Sequence, residues 1–368
     1  MTDFRRDVYC ILGLPFDRVT MQQAVLHLQD AAGQHKRCFL STPNLNFAVA
    51  CRSDPAFRDS VLQSDLVIAD GMPLVWIAWL LNIPIRERVS GSSLMESLRQ
   101  TSEQPLSVYF FGGPDGAAKA ACEQLNKSGS GLRGAGFDSP GFGSVEEMST
   151  PETIRRINES RADFLVVALG ARKGQAWIMH NRDRLTPPLL SHLGAVVNFV
   201  AGTVKRAPQL LQCVGLEWLW RIKEEPALWR RYVGDGFAFL GVLFSRIIPY
   251  TFLARVGRLG KGELSDAAIE VNFLVSQCEI RLQGIWIYEN LDLLRECFNK
   301  VVLAGKDVRL DLTGIRYADS AFIALVVLLH GHQTRHARRL IISNPSRAIR
   351  RIIRYCCADF LLTAASSR

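Results

Sequence analysis

The feature that most constrains this chain is an alternation that begins near residue 37. Short apolar runs at 37–40, 66–69, 107–111 and 163–169 each give way to a polar loop and then to a helical pattern. Apolar runs that recur between helices belong to a parallel sheet covered on both faces, because each strand needs a crossover helix before the next can run the same way. The chain therefore reads as α/β. In such a sheet ligands bind beyond the carboxyl ends of the strands. Here those ends read Ser41-Thr-Pro-Asn-Leu-Asn46, Asp70-Gly71, Gly112-Gly113-Pro-Asp-Gly116 and Gly170-Ala-Arg-Lys-Gly-Gln175, four polar, glycine-bearing loops expected on one rim.

At 368 residues the chain has room for two to three domains of ~150 residues. Its hydrophobic content of 48% with a net charge of +9 excludes a disordered chain. A second, smaller α/β unit starts afresh at Ala267. Strands are expected at 278–282, 285–288, 308–312 and 339–342, with helices over 291–303 and after Asp319. Between the two units, residues 203–262 hold ten basic residues against four acids, a surplus of six out of the whole net charge of +9. Trp218, Trp220 and Trp229 lie among these charges, followed by the apolar run 237–244. Asp235 and Arg246 break that run, short of the ~20 residues of a spanning helix, so a segment lying in a bilayer interface is expected. The alternative is a solvated basic helix packed on its own domain. Gly257-Arg-Leu-Gly-Lys-Gly262 reads as a linker. The expected division is 1–202, 203–262 and 263–368.

A pI near 9.2 suits nucleic acid in general, but positive charge gathered beside tryptophans suits anionic lipid better, so no nucleic-acid partner is expected. Nine cysteines, an odd number without a CxxC pair, suggest neither a disulfide framework nor a zinc site and fit a reducing compartment. The start, Met1-Thr-Asp-Phe-Arg-Arg, does not read as a secretory signal.

Asp70 is the strongest chemical candidate. It ends an apolar strand and precedes a glycine, so its carboxylate is placed where a substrate can approach and where it can take a proton from a hydroxyl. Thr42, Asn44 and Asn46 offer neutral donors and acceptors for sugar hydroxyls. Each has a structural alternative: Asp70 as a helix N-cap, the asparagines as loop stabilisers. Arg86 and Arg88 can clamp an anion by forked hydrogen bonds, or serve as surface ion pairs. Gly112, Gly113 and Gly116 precede a helix whose first N–H groups can hold a diphosphate. No Asp-x-Asp occurs, so the carboxylate pair that grips a metal-bound nucleotide diphosphate is missing, and no metal or other cofactor is expected. His330, His332 and His336 read as solvent-exposed rather than metal-binding, and Cys356-Cys357 as packing a helix end.

Read together, Thr42-Pro-Asn44, Ala69-Asp-Gly71, Glu87-Arg-Val-Ser-Gly91, Phe111-Gly-Gly113, Ala168-Leu-Gly170 and Gly202-Thr-Val-Lys-Arg-Ala-Pro208 resemble the bacterial WecG/TagA/CpsF glycosyltransferases. Gly215-Leu-Glu-Trp-Leu-Trp-Arg221 and Glu225-Pro-Ala-Leu-Trp-Arg-Arg231 continue the likeness, which covers roughly residues 8–245. The resemblance implies a Rossmann-like catalytic domain. It also implies an inverting, metal-independent transfer from a UDP-sugar to a polyprenyl-diphosphate-linked acceptor, at the inner face of the plasma membrane. It casts Asp70 as general base, with Thr42 and Asn44 positioning substrate. Arg88, Gly112, Gly113, Lys173, Gln175, Arg206, Arg221 and Arg231 would contact substrate, and the tail after Gly202 would dock on the anionic membrane and close the site. The chain departs from the family at Gly170-Ala-Arg-Lys-Gly-Gln-Ala-Trp177, where the usual glutamine falls on Gly174 and the usual glutamate on Gln175, and at Ser93, where aspartate is common.

The last hundred residues resemble a STAS domain around Val308-Arg-Leu-Asp-Leu-Thr-Gly-Ile-Arg-Tyr-Ala-Asp-Ser-Ala-Phe322. Ala321 replaces the usual phosphorylated hydroxyl, leaving Ser320 as the weaker acceptor; the domain reads as a docking or regulatory module with a protein partner. The altered 174–175 loop also admits a second function, a non-catalytic nucleotide-sugar-binding regulator acting through the STAS domain.

Overall fold

The computed structural model describes residues 2–101, 105–128, 131–204, 207–208, 211, 215–224, 229–257 and 267–363. It opens with a hairpin the sequence reading does not contain. Strands β1 (Val8–Ile11) and β2 (Leu14–Asp17) pair antiparallel across Leu12-Gly13, both at positive φ, as a tight turn matched to strand twist requires. Helix α1 (Met21–Gly33) starts at a reciprocal Thr20–Gln23 capping box. There follow β3 (Cys38–Ser41), α2 (Leu45–Ser53), α3 (Pro55–Leu62), β4 (Leu66–Val67), α4 (Met72–Leu80), α5 (Gly91–Gln100) and β5 (Leu106–Gly112). The first unit continues with α6 (Ala117–Ser128), β6 (Leu132–Asp138), α7 (Pro151–Glu159), β7 (Phe164–Ala168), α8 (Ala171–Asn181), β8 (Leu189–His192) and α9 (Gly194–Val200).

Six strands form a parallel sheet in the order β4-β3-β8-β7-β5-β6. Successive residues of β5 serve opposite faces: Val108 and Phe110 pack in the core beneath α1, α5, α6 and α9, whereas Tyr109 and Phe111 join Trp177 and Ile157 under α7 and α8. The α/β expectation therefore holds, with β6 and β8 added to the strands read from the sequence.

Helix α10 (Glu217–Glu224) precedes α11 (Trp229–Val242), which runs through one π turn (Leu243–Ile247) into α12 (Ile248–Gly257). This corrects the expectation that Asp235 and Arg246 cut the apolar segment short. Within the uninterrupted helix, Val233–Leu253 is 21 residues long and apolar enough to cross a membrane. The two charges do not break it because both find protein partners. The expected linker beyond Gly257 lies outside the described residues.

The second unit comprises β9 (Ala268–Phe273), β10 (Gln277–Trp286), α13 (Asp292–Leu303), β11 (Asp307–Ala318), α14 (Ser320–Arg335), β12 (Leu340–Ser343), α15 (Arg347–Tyr355) and α16 (Phe360–Thr363). Its sheet order is β12-β11-β10-β9, parallel except for β9. The two strands expected at 278–282 and 285–288 are one, β10, whose pairing with β11 shifts between Gly284 and Ile285. Gly284 takes φ +88°, the conformation that lets the strand bulge there.

The two units share a core. Val8, Ile11, Phe16 and Leu62 of the first meet Phe322 and Leu329 of α14, while Val242, Ile247 and Tyr250 bring the long helix into the same cluster. Helix α14 is apolar on nearly every side, which suits a helix enclosed between its own sheet and the hairpin. The expectation of solvent-exposed histidines is corrected for His332. It is buried with Nδ1 3.1 Å from Thr2 Oγ1, and burial pulls its pKa down to about 4; His336 alone of the three is exposed. Cys356 and Cys357 are buried just past α15.

Candidate active site

Three loops meet where β3 and β4 end. The Asp70 N–H donates to Pro43 O at 3.0 Å, and the Val89 N–H donates to Ala69 O at 3.2 Å, so the backbone stitches 42–46, 68–71 and 88–91 into one floor. Asp70 stands on it half-buried, its Oδ2 accepting the Gly91 N–H at 3.3 Å. The N-cap of α4 is Gly71, which takes φ +139° and makes no side-chain cap bond, so Asp70 is not the capping residue of that helix. A Cβ on Gly91 would lie 3.6 Å from Thr42 Oγ1, and one on Gly71 would lie 4.0 Å from Asn44 Cβ. Thr42, Asn44 and Asp70 are thus brought together. Asn44 also fulfils its structural alternative: it caps α2, its Oδ1 accepting the Phe47 N–H at 3.0 Å. The exposed side chain keeps its amide Nδ2 for other work.

Farther along the rim, Gly112 and Gly113 take φ +92° and +95°. A Cβ on Gly112 would come within 2.8 Å of Leu169 Cδ2 and 3.0 Å of Ala168 O, so only glycine lets the loops after β5 and β7 approach this closely. On α8, Lys173 is exposed and its Nζ donates to Gly143 O at 2.8 Å. Gln175 departs from expectation. At 1% exposure it has no open surface to offer a substrate, and its Nε2 donates to Ser41 Oγ at 2.9 Å, which supports the Thr42 loop from behind.

Arg88 is also engaged differently from a forked clamp with Arg86. Its Nη1 donates to Glu217 Oε2 of α10 at 2.5 Å, while Arg86 is exposed. A second tie joins Asn46 Nδ2 to Asp235 Oδ1 of α11 at 2.6 Å, and Gly215 packs so closely on Met72 and Trp76 that a Cβ there would lie 2.8 Å from each. The basic tail therefore crosses the rim on the Asp70 side. Arg206 lies outside the described residues, as do the side chains of Arg221 and Arg231.

One rim residue escaped the sequence reading. His192 ends β8, with Nε2 2.5 Å from Leu169 O; facing a carbonyl, Nε2 carries the hydrogen and donates. Burial lowers its pKa to about 4, so the ring is neutral near pH 7. A Cβ on Gly174 would overlap this ring, so glycine at 174 is what leaves room for the imidazole. The strand it ends holds only two apolar residues after Pro187-Pro188, too few to stand out as a buried run. Among the described residues no three His, Cys, Asp or Glu side chains gather as a metal-holding group.

The profile of the Glycosyl transferase WecG/TagA/CpsF family matches residues 9–251, and that of the Mlab, STAS domain matches residues 269–363. The chain is 28% identical over 210 residues to the N-acetylglucosaminyldiphosphoundecaprenol N-acetyl-beta-D-mannosaminyltransferase of Bacillus spizizenii, covering 56% of this chain and 79% of that protein. An enzyme of the same name from Staphylococcus aureus is 25% identical over 214 residues, 57% of this chain and 82% of its own. Among solved structures, the anti-sigma factor antagonist SpoIIAA in its unphosphorylated form matches 24% of this chain and 83% of that one, at 20% identity and a TM-score of 0.22. With the family match running from β1 into the long helix, the chain belongs to the WecG/TagA/CpsF glycosyltransferases and carries a C-terminal STAS domain.

Proposed function

We propose that this glycosyltransferase moves a sugar from a UDP-sugar to a polyprenyl-diphosphate-linked saccharide at the cytoplasmic face of the plasma membrane, in exopolysaccharide, O-antigen or cell-wall polymer synthesis. The observation that carries this reading is the half-buried Asp70 carboxylate, which accepts the Gly91 N–H beside Thr42 and Asn44, with the tail tied to the same loops at Asn46 and Arg88. Asp70 takes the proton of the acceptor hydroxyl as its oxygen bonds to the anomeric carbon. The bond from that carbon to the UDP oxygen breaks on the opposite side, and the configuration inverts. A positioned base of this kind is worth about 10²–10⁴-fold. Thr42 and Asn44 orient sugar hydroxyls. Backbone N–H groups around Gly112 and Gly113, with Lys173, Arg88, Arg206, Arg221 and Arg231, offset charge on the diphosphates. The names of the relatives, which transfer N-acetylmannosamine to a diphosphoundecaprenol-linked acceptor, support this chemistry.

The long helix supports the membrane assignment. Its inward side is held by Asn46 at Asp235 and by Asp359 at Arg246, and Val242, Ile247 and Tyr250 are buried. Its outward side carries Phe237 at 73% and Phe244 at 66% exposure, with Leu240 and Phe252 also exposed. A helix attached to protein along one side and apolar along the other lies in a bilayer interface rather than crossing the bilayer. Trp76, Trp79 and Leu80 of α4 are exposed too, on the helix that starts directly after Asp70-Gly71.

The test is UDP release and product formation with purified full-length protein, a panel of UDP-sugars and polyprenyl-diphosphate-saccharide in anionic vesicles. Donor-dependent transfer is expected. Binding of a UDP-sugar with no transfer to any lipid acceptor would replace this reading with that of a nucleotide-sugar-binding regulator.

A further inference from the structure

We propose that the STAS unit is a built-in brace of the catalytic rim, and that the surface α14 would offer a separate protein is spent on the β1–β2 hairpin and α3 of the same chain. Two glycines carry the argument. Gly331 sits inside α14, where glycine weakens a helix relative to alanine. A Cβ there would lie 2.7 Å from Leu62 O and 2.9 Å from Leu62 Cβ, so its absence is what lets α3 touch α14. Gly13 answers from the other side, its hypothetical Cβ 2.6 Å from Cys357 O. Close approach of backbone to backbone at two separate points marks a permanent contact. Around them Tyr9 stacks on Tyr288 with ring centroids 5.5 Å apart, and Tyr288 Oη donates to Asp7 Oδ2 at 3.3 Å. At the start of α14, Ser320, Ala321 and Phe322 are all buried.

The contact reaches both arms of the site. Through the hairpin, Asp17 Oδ2 accepts the Val67 N–H at 2.7 Å and pairs with Arg6, which donates to Ser64 O at 2.8 Å; these hold β4, the strand that leads to Asp70. Through the long helix, Arg246 Nη1 donates to Arg354 O at 2.6 Å and to Asp359 Oδ1 at 3.2 Å. The other end of that helix holds Asn46, two residues past Asn44. The STAS unit thus positions Asp70 and Asn44 without touching substrate, and its kinetic consequence rests on the transferase reading.

Gly331→Val in the full chain drives a side chain into the Leu62 carbonyl while leaving the STAS sheet alone. Hydrogen exchange at 8–17 is expected to speed up about tenfold, with β10 and β11 within about twofold of wild type. For transfer, kcat should fall about tenfold with the KM for UDP-sugar within about threefold. Hairpin amides as protected as in wild type, or a loosened hairpin with unchanged kcat, overturn the brace. Should Gly331→Val exchange throughout and so fail to fold, Asp359→Ala decides: faster exchange confined to 235–250 with kcat lowered about threefold supports the brace, and no change overturns it. A wild type that transfers no sugar refutes the transferase reading alone; the exchange measurements still decide whether the hairpin depends on α14.

Discussion

Two aspartates, Asp70 and Asp319, each follow a parallel strand and stand before a helix, yet the two junctions are built differently. Asp319 caps α14. It is half-buried, as Asp70 is, but its Oδ1 accepts the Phe322 N–H and its Oδ2 the Tyr288 N–H, each at 2.9 Å. Asp70 is followed by glycine rather than serine and leaves the capping position to Gly71. Asp319 has both oxygens on backbone N–H groups, one of them at the start of its own helix; Asp70 accepts the Gly91 N–H of a neighbouring loop, away from the helix that follows it. The residue after the aspartate makes the difference, because at φ +139° glycine turns the chain before the helix begins.

The comparison breaks most sharply if Asp70 proves dispensable. Asp70→Asn should lower transfer by about 10³-fold with an unchanged urea midpoint; full activity would place Asp70 beside Asp319 as a structural residue. Asp319 should show itself in stability. Burial raises its carboxyl to about 6, so the folded state holds the proton more tightly than the unfolded one. Its contribution is fully present below pH ~4 and is lost as pH rises through ~6, on the order of 3 kcal/mol at most. Urea titrations of Asp319→Asn between pH 4 and 7 should lack that slope. On the open side of the molecule, Phe237→Ser with Phe244→Ser should cut partitioning into anionic vesicles about 30-fold while leaving the fold intact; flotation measures it. The smallest effect sharpens the contrast within the rim itself. Gly174→Gln, which displaces His192, should lower kcat/KM about tenfold, and His192→Gly in the same chain should recover part of the loss.

Much of the catalytic unit was legible because β3, β5 and β7 are buried along their whole lengths, and a continuous apolar run survives in the sequence as a strand signal. Asp70, Thr42 and Asn44 followed from where those runs stop. What stayed hidden depends on long-range contacts. The β1–β2 hairpin is stabilised by α14, some three hundred residues later, and nothing local announces it. Asp235 and Arg246 read as interruptions since their partners, Asn46 and Asp359, are far off in sequence. Gln175 read as a substrate contact, but it is buried and tied to Ser41, behind the loop. β10 read as two strands because a bulge at Gly284 interrupts the alternation without ending the pairing.

The π turn at Leu243–Ile247 has a geometric outcome for the exposed side of the long helix. An α-helix advances about 100° per residue, so Phe237, Leu240 and Phe244 cluster on one azimuth, whereas Phe252, eight positions after Phe244, would drift about 80° away. The wider turn absorbs one residue and brings Phe252 back to within about 20° of Phe244 and about 40° of Phe237. It acts as a phase corrector, keeping a single greasy seam in line over the full length of a rod whose opposite side must stay fastened to two folded units. Removing one residue from that turn would swing the far end by about a quarter rotation, and either the seam or the fastening would have to give.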